Sequence, residues 1–386
     1  MKDKILIIND NQDVRTITRT ILKGKGYETI EASGGEEGVE LALNEQPDLI
    51  LLDIMMPDVN GYETCSRLKA QELTKHIPVI FFTSLNSSQD KIKGLEFGAV
   101  DFVNNVVEKG ELLARVNTHL SLKKLTEELR KSNLALNQKQ KALDDDLKAA
   151  ASIQKSFLPQ KTAFNETLTL STFWKPANAL GGDIFNVLFT AEDQYMIYML
   201  DVSGHDVPSA LVTISASQFL QQKAMSLKEP KNPKAIFEGL EQEYPIERFS
   251  RYFTLFYALF DPKTSILKFG SAGHPAAILL KNEKVDFLRA DGIFIGLNKQ
   301  VPFEEKEILF EPGDKLFLYT DGISEYESPN GAEYGEERIK QVLERRIDSS
   351  PEMLLKAVEQ DLQKFSDSKT SYDDMSMMAI ERSMKG

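Results

Sequence analysis

Aspartates beside glycine or beside another acid are the side chains of this 386-residue chain most able to do chemistry. They stand in the segments Leu-Gly-Gly-Asp, Asp-Val-Ser-Gly-His, Tyr-Thr-Asp-Gly and Asp-Asp, as Asp183, Asp201, Asp321, Asp373 and Asp374. Any one of these alone is typical of a turn or a helix cap. All but Asp183 adjoin apolar runs that predict strands, so we expect their carboxylates at the rim of a sheet. Converging carboxylates repel one another, and their pKa values rise unless a cation compensates.

Carboxylate oxygens are the ligands that Mg²⁺ and Mn²⁺ prefer. Two such ions a few Å apart can activate water and clamp the oxygens of an in-line phosphoryl displacement. The single Cys65 excludes an intrachain disulfide framework and a multi-cysteine zinc site. With four histidines in the chain, we expect any metal to be held by oxygen.

A second group of polar side chains follows short apolar runs in the first third of the chain. The runs lie at 5–8, 29–32, 48–53, 78–83 and 101–103 and alternate with helical patterns. This rhythm predicts a doubly wound, mainly parallel α/β sheet, in which ligands lie beyond the carboxyl ends of the strands. Those ends are occupied by Asn9, Asp10, Asn11, Asp53, Thr83, Asn104 and Asn105. The pattern indicates a pocket suited to a small hard cation.

Between Glu111 and Leu158 the chain contains neither glycine nor proline. An apolar residue recurs every seven positions, at Leu122, Leu129, Leu136, Leu143, Ala150 and Phe157. The second seam position is apolar at Leu125 and Ile153 and polar at Ser132, Lys139 and Asp146. We expect a long helix that Pro159 ends and that forms a two-stranded coiled coil; the alternative is one amphipathic helix lying on its own domain.

Beyond Pro159 the pattern changes to many apolar runs with few helices between them. The predicted strands lie at 167–174, 194–201, 252–261, 266–273, 276–280, 307–310, 315–321 and 375–380. Helical patterns occur near 207–225, 233–243, 335–346 and 351–365. Long strands with segregated helices favour an α+β domain of two stacked sheets flanked by helices. We expect Trp174, His274 and the aromatic run 249–260 to be core residues.

The composition limits the class of protein further. Hydrophobic residues make up 41% and charged residues 27%, as in ordinary folded domains, and the length suggests two to three domains. The net charge of −13 argues against a nucleic-acid binder, which needs a basic face. Neither a signal peptide nor an apolar stretch of the length of a membrane helix is present. The default expectation is a soluble cytoplasmic protein.

Residues 150–386 resemble a metal-dependent Ser/Thr protein phosphatase of the PPM (PP2C) class, in its SpoIIE- and RsbU-like branch. The matching segments are AASIQKSFLP (150–159), KPANALGGD (175–183), DVSGHDVPSA (201–210), SAGHPAAILL (271–280), LYTDGISE (318–325) and YDDMS (372–376). The resemblance implies an α/β/β/α sandwich with two Mn²⁺ or Mg²⁺ ions. It implies a catalytic metal cluster formed by the shared ligands Asp183 and Asp201, the Val202 carbonyl, Asp321, Asp373 and the adjacent Asp374.

Two positions depart from the pattern of that class. An acid is frequent where this chain has Asn186, and a glycine is usual where it has Asp206. Neither change removes an expected primary ligand, but each could alter metal affinity or loop geometry. His205 could act as a general acid or as a structural turn residue.

Residues 1–121 resemble a response-regulator receiver domain, which implies a flavodoxin-like fold with a five-stranded parallel sheet. The matching segments are ILIINDN (5–11), LLDIMMPDVNGYE (51–63), PVIFFTS (78–84) and GAVDFV (98–103). The resemblance implies that Asp53 accepts a phosphoryl group, that Asp10 holds Mg²⁺ and that Thr83 bonds the acyl phosphate. Phe102 would be the aromatic switch residue.

The switch residues of the receiver are less complete. Receivers usually have an acidic pair where this chain has Asn9 and Asp10, and Lys-Pro where it has Asn105 and Val106. Asparagine has no charge to replace that lysine. Phosphorylation of Asp53 with a weakened response and a constitutive dimerisation module are therefore both open interpretations.

The whole chain is thus expected to comprise a receiver at 1–121, a coiled-coil linker helix at 122–158 and a phosphatase domain at 159–386. The resemblance implies dephosphorylation of a phosphorylated STAS-type anti-sigma-factor antagonist, a histidine kinase as a further partner, and a homodimer formed through the linker. The alternative is a non-catalytic adaptor that sequesters a sigma-factor regulator. Retention of the aspartates favours the enzyme.

Overall fold

The structure is a computed structural model that describes residues 2–83, 88–104, 109–159, 163–164, 166–229, 231–297, 302–366 and 373–384. Asn105 and Val106 lie outside the described residues. The chain divides into two compact units, Met1–Lys141 and Ala142–Gly386. In the described ranges, no helix combines the length and apolar character needed to span a bilayer.

The first unit is the expected doubly wound domain, with one parallel five-stranded sheet in the order β2-β1-β3-β4-β5. Its strands are β1 (Lys4–Ile8), β2 (Glu28–Ala32), β3 (Leu49–Leu52), β4 (Val79–Thr83) and β5 (Asp101–Asn104). Its helices are α1 (Gln12–Lys23), α2 (Gly35–Glu45), α3 (Gly61–Ala70), α4 (Ser88–Glu96) and the first part of α5 (Lys109–Ser156). The central strands are buried on both faces, which explains why they read as unbroken apolar runs.

Helix α5 is 48 residues long, or about 70 Å at 1.5 Å per residue. Its first turns pack on the receiver-like sheet through Leu112, Val116 and Leu120, which are buried. Beyond these turns the leucines of the predicted seam are 52–62% exposed; they are Leu122, Leu129, Leu136 and Leu143. Phe157, the last predicted seam position, lies beyond the end of the helix and packs against the core of the second unit.

The second unit contains two antiparallel sheets. The first has five strands in the order β14-β11-β10-β9-β8, and the second has six in the order β13-β12-β15-β16-β7-β6. The strands are β6 (Ala163–Phe164), β7 (Leu168–Lys175), β8 (Asp183–Phe189), β9 (Tyr195–Val202), β10 (Phe253–Asp261), β11 (Ile266–Ala272), β12 (Ala277–Lys281), β13 (Lys284–Leu288), β14 (Lys306–Leu309), β15 (Lys315–Tyr319) and β16 (Met375–Arg382). The helices are α6 (Val207–Met225), α7 (Pro233–Glu243), α8 (Ile246–Phe249), α9 (Asp321–Ser324), α10 (Glu336–Glu344) and α11 (Pro351–Phe365).

Side chains alternate between the two faces of each strand, and this alternation forms the layers of the second unit. On β9, Tyr195, Ile197 and Met199 point into the core between the sheets, whereas Met196 and Tyr198 face the layer of α6 and α7. The other sheet packs its outer face against α10 and α11. The unit is therefore the α/β/β/α sandwich that the resemblance implies. Strands β6, β8 and β13 are absent from the prediction, and β8 begins with Asp183.

Candidate functional site

The two sheets of the second unit bring the predicted acids to one end of the sandwich. Asp183 begins β8 and lies directly opposite Asp201 of β9 in the antiparallel register. Asp321 begins α9 just after β15, and Asp374 precedes β16. Each sheet thus contributes acids, which are separated by up to nearly two hundred residues in the chain.

Asp183 is the most buried of these acids, with 1% of its surface exposed. Its Oδ2 accepts hydrogen bonds from the hydroxyls of Thr320, at 2.9 Å, and Ser376, at 2.6 Å. Its Oδ1 is buried and accepts no hydrogen bond from any described residue. Burial, followed by repulsion from Asp201 and Asp374, raises the pKa of Asp183 well above its usual value.

The pKa values of the neighbouring carboxylates shift in the same direction. Burial and then repulsion from Asp321, Asp373 and Asp374 raise the pKa of Asp201. Burial and then repulsion from Asp373 raise the pKa of Asp321 to about 6. Asp373 is exposed, and it accepts the backbone N–H of Asp374 at 2.8 Å. The acids therefore form one electrostatically coupled group.

Asp374 has a different environment from the other acids. Its two carboxylate oxygens accept the backbone N–H groups of Ala177 at 2.7 Å and Gly182 at 2.5 Å. A side chain at Gly182 would meet the carbonyl oxygen of Val202 at 2.5 Å, so the close approach requires glycine. Asp374 thus ties the 177–182 loop to the start of β16.

The end of α5 contacts the same loop within the second unit. Gln154 is 1% exposed; its Nε2 donates to the Gly181 carbonyl at 2.6 Å and its Oε1 accepts the Gly181 N–H at 3.1 Å. Asn186 of β8 donates from Nδ2 to the Phe157 carbonyl at 2.8 Å. An acid at that position could not make this bond, because a carboxylate only accepts.

The loop after β9 is fixed by the second departure, Asp206. Its side chain caps α6 by accepting the Ser209 N–H at 3.1 Å, and it pairs with Arg251 at 2.6 Å. The Ser209 hydrogen bonds hold the pKa of Asp206 below its usual value. His205 is exposed, and its Nδ1 lies 2.7 Å from the Asn178 amide nitrogen, which donates to it.

The donor set of this site fits hard divalent cations. Among the described residues, no three His, Cys, Asp or Glu side chains already stand in the arrangement of a metal site. The available donors are carboxylate oxygens, they repel one another, and the buried Oδ1 of Asp183 lacks a partner there. A cation is the group that would satisfy that oxygen and offset the repulsion.

The predicted core residues are buried, except that Trp174 and Phe249 are half-buried and Tyr252 is exposed. His274 is buried, and its Nδ1 lies 2.6 Å from the Thr254 hydroxyl; burial lowers the pKa of His274 to about 3. Trp174 packs on the inter-sheet core. Within the aromatic run, Phe253, Phe256, Tyr257 and Phe260 are buried, but Tyr252 is 40% exposed.

The first unit brings together Asn9, Asp53 and Thr83 at the carboxyl ends of β1, β3 and β4. Asp53 is 7% exposed, and its Oδ2 accepts from the Asn9 amide at 2.8 Å. Burial raises the pKa of Asp53, whereas hydrogen bonds from Thr83 and the Met55 N–H oppose the rise. Asp10 is exposed beside this group, and Phe102 of β5 is half-buried.

Sequence reasoning missed several residues that shape these sites. Thr320, Ser376 and Gln154 stand inside or beside quoted motifs, but no pattern indicates which carboxylate or carbonyl they contact. Asn9 stands out only by replacing an acid, and its hydrogen bond to Asp53 depends on the register of β1 with β3.

Comparisons with known proteins agree with this division. A family model described as Stage II sporulation protein E (SpoIIE) matches residues 191–383, half of the chain, and the response regulator receiver domain matches residues 5–117. The SiaA-PP2C domain of Pseudomonas aeruginosa covers 63% of this chain and 98% of its own, with a TM-score of 0.56 and 23% identity, which shows the shared fold.

Two curated relatives match a shorter part of the chain. The DNA-binding dual master transcriptional regulator RpaA of Synechocystis sp. is 41% identical over 117 residues, 30% of this chain and 48% of its own. The alkaline phosphatase synthesis transcriptional regulatory protein PhoP of Bacillus subtilis is 38% identical over 120 residues, 31% of this chain and 49% of its own. The chain spans about half the length of these relatives.

Because the SpoIIE model covers half of its residues, the chain belongs to the SpoIIE family and joins a response-regulator receiver domain to a PP2C-type domain.

Proposed function

We propose that the chain is a metal-dependent protein phosphatase that removes phosphate from phosphoserine or phosphothreonine of a partner protein. The observation that supports this most is the group of coupled acids, in which Asp183, Asp201 and Asp321 come from both sheets and have raised pKa values. Such a group is unfavourable unless cations bind to it. A non-catalytic adaptor would have no use for it.

The residues that would hold two Mn²⁺ or Mg²⁺ ions are Asp183, Asp201, Asp321, Asp373 and the backbone carbonyl of Val202. When bound, such a pair of ions activates a water and neutralises charge during in-line phosphoryl displacement. Thr320 and Ser376 both donate to Oδ2 of Asp183, so they orient the carboxylate and leave Oδ1 for a cation. Asp374, whose oxygens accept backbone N–H groups, would set the position of the loop before Asp183.

A phosphorylated STAS-type anti-sigma-factor antagonist is the substrate we propose. Membership in the SpoIIE family and the motifs at 201–210 and 271–280 support this choice. In the receiver, Asp53 would accept a phosphoryl group from a histidine kinase with Mg²⁺ at Asp10. The Asn9 amide donates to Asp53 and adds no charge, so we propose that this receiver recruits Mg²⁺ weakly in its resting state.

We further propose that α5 forms a homodimer and controls the phosphatase domain. The exposed leucines spaced seven apart favour a partner helix, since burying each leucine contributes about 1.5–3 kcal/mol. A rotation or shift of α5 would act on Gly181 through both hydrogen bonds of Gln154, and Gly181 lies two residues before Asp183. This route gives the linker a direct contact with the acid-bearing loop.

Replacing Asp201 with Asn keeps the shape of the side chain and removes its charge. We expect Mn²⁺ affinity and Mn²⁺-dependent hydrolysis of p-nitrophenyl phosphate to fall by more than about 100-fold, because even residues that only orient a ligand contribute 10–100-fold. Calorimetry measures the affinity and absorbance measures the rate. Asp193→Asn, an exposed acid paired with Lys263, is the control. Equal Mn²⁺ binding by wild type and Asp201→Asn would contradict the assignment.

Gln154→Leu preserves much of the side-chain volume and leaves both polar groups of Gly181 without their partner. We expect hydrolysis to fall by about tenfold or more, since each unsatisfied buried group costs about 1–3 kcal/mol. Hydrogen exchange should become faster across residues 177–182. Gln138→Leu, at an exposed position of the same helix, should change neither measurement. Normal exchange in the loop of the Gln154 variant would reject the proposed contact route.

The double substitution of Leu129 and Leu136 by Asp places two charges in the seam of α5. We expect sedimentation velocity to show monomers in place of dimers, because charges in the seam oppose pairing of the two helices. We also expect turnover to change, because the dimer would fix the position of each α5. Leu134→Asp lies off the seam on the same helix and is 50% exposed, so it should preserve the dimer. A monomeric double variant with wild-type turnover would separate dimerisation from control of activity.

Asn9→Asp restores the acidic pair of the receiver and removes the amide donor to Asp53. We expect Mg²⁺ affinity to rise by about tenfold, a change of about 1.4 kcal/mol, and Asp53 to be phosphorylated faster by acetyl phosphate. Calorimetry and intact-mass measurement test the two outcomes. Asn11→Asp adds the same charge two residues away, at a helix cap where Asp serves equally well. Identical behaviour of the two variants would show that charge alone, rather than contact with Asp53, sets the affinity.

A further inference from the structure

Two aromatic side chains stand exposed beside the acid group of the second unit. Tyr252 is 40% exposed and Phe294 is 37% exposed, and their ring centroids lie 5.3 Å apart. Other aromatic residues of the same run, such as Phe253 and Phe256, are buried. An exposed aromatic pair contributes little to folding, but it offers apolar area to a partner.

Backbone contacts hold both rings in place. The N–H and carbonyl of Phe253 bond the carbonyl and N–H of Ile295 at 3.1 and 2.9 Å, which places Tyr252 and Phe294 diagonally on one face of this antiparallel bridge. The Tyr252 carbonyl accepts the N–H of Ser203 at 2.9 Å. Ser203 lies two residues after Asp201. A side chain at Gly273 would meet the Phe294 ring at 2.5 Å, so the ring lies directly on this backbone. The surface is therefore preorganised, which lowers the entropy cost of binding.

Phe294 also lines a cleft of about 430 Å³ that includes Asp321. The described acids lining this cleft are Asp291, Asp321, Glu325 and Glu336. Arg289 supplies the positive charge among the described lining residues, and it is paired with Glu336 at 2.8 Å. Because acids predominate in these walls, they disfavour an acidic segment of polypeptide.

We propose that Tyr252 and Phe294, here called the aromatic pair, bind the apolar residues that flank the phosphorylated residue of the substrate protein. This inference rests on the proposed phosphatase function, because the cleft begins at one of its acids. Phe294 and Asp321 line the same cleft, so residues beside a phosphoserine held at the acids would lie in the cleft that Phe294 lines. Aromatic side chains are enriched in interfaces, and tyrosine is among the residues that most often dominate recognition of a partner.

Two synthetic phosphoserine peptides of equal length and charge test the proposal, one with leucines and one with serines beside the phosphoserine. With Mn²⁺ present, we expect the full chain to hydrolyse the leucine peptide with a kcat/KM about tenfold higher, mainly through KM. Phe294→Ser combined with Tyr252→Ser should bring this ratio close to one. The ratio is taken within each variant, so a general loss of folding or of metal lowers both rates and leaves it unchanged.

Phe189→Ser is the matched control. Phe189 is 36% exposed and its ring lies 5.2 Å from that of Tyr195, but it stands at the far end of β8 from Asp183. This variant should keep the wild-type ratio. Equal kcat/KM for both peptides in the wild type, or an unchanged ratio in the double variant, overturns the aromatic pair alone. A wild-type chain that hydrolyses neither the peptides nor p-nitrophenyl phosphate overturns the phosphatase function as well.

Discussion

Repulsion between the carboxylates at one end of the two-sheet sandwich is the constraint on which the acid group of the second unit depends. Asp183 and Asp201 face each other on adjacent strands, and Asp321 approaches from the other sheet. Burial penalises each charge, and each neighbour adds to the penalty. Protonation relieves this in part, whereas cations would relieve it fully. Glycines adjoin the acids where the backbone approaches closely: a Cβ at Gly181 would meet Oδ2 of Asp374 at 2.9 Å, and one at Gly322 would meet the Asp374 carbonyl oxygen at 2.0 Å.

Hydrogen bonding divides the acids into two kinds. Asp374 uses both of its oxygens on backbone N–H groups, so it organises a loop as a structural anchor would. Asp183 has one oxygen saturated by two hydroxyls and the other without a donor among the described residues. Charge alone does not separate these roles. Gln154 then joins the end of α5 to the same loop through two hydrogen bonds with Gly181.

The sequence predicted the parts of this structure that depend on local pattern. Apolar runs located the parallel strands of the receiver, and aspartates beside glycine or another acid indicated the group at Asp183, Asp201, Asp321, Asp373 and Asp374. Strand β8 escaped prediction because its apolar residues are interrupted by Asn186, which the fold uses to bond the Phe157 carbonyl. The contacts of Asp374 with Ala177 span 197 residues, and no local signal encodes a pairing at that distance. Phe157 kept the heptad spacing but left the helix, because tertiary packing offered it a buried position.

Two asparagines occupy places where the related families usually have acids, and both act as donors. Asn9 donates to Asp53, and Asn186 donates to the carbonyl of Phe157, just beyond the end of α5. An amide can stabilise these geometries without a cation, because it supplies the hydrogen that a carboxylate lacks. In the receiver this gives Asp53 a neutral neighbour in the resting state. In the PP2C-type domain it joins the residue that follows α5 to the strand that begins at Asp183. The two asparagines therefore stabilise their surroundings by donating hydrogen bonds, where an acid could act only as an acceptor.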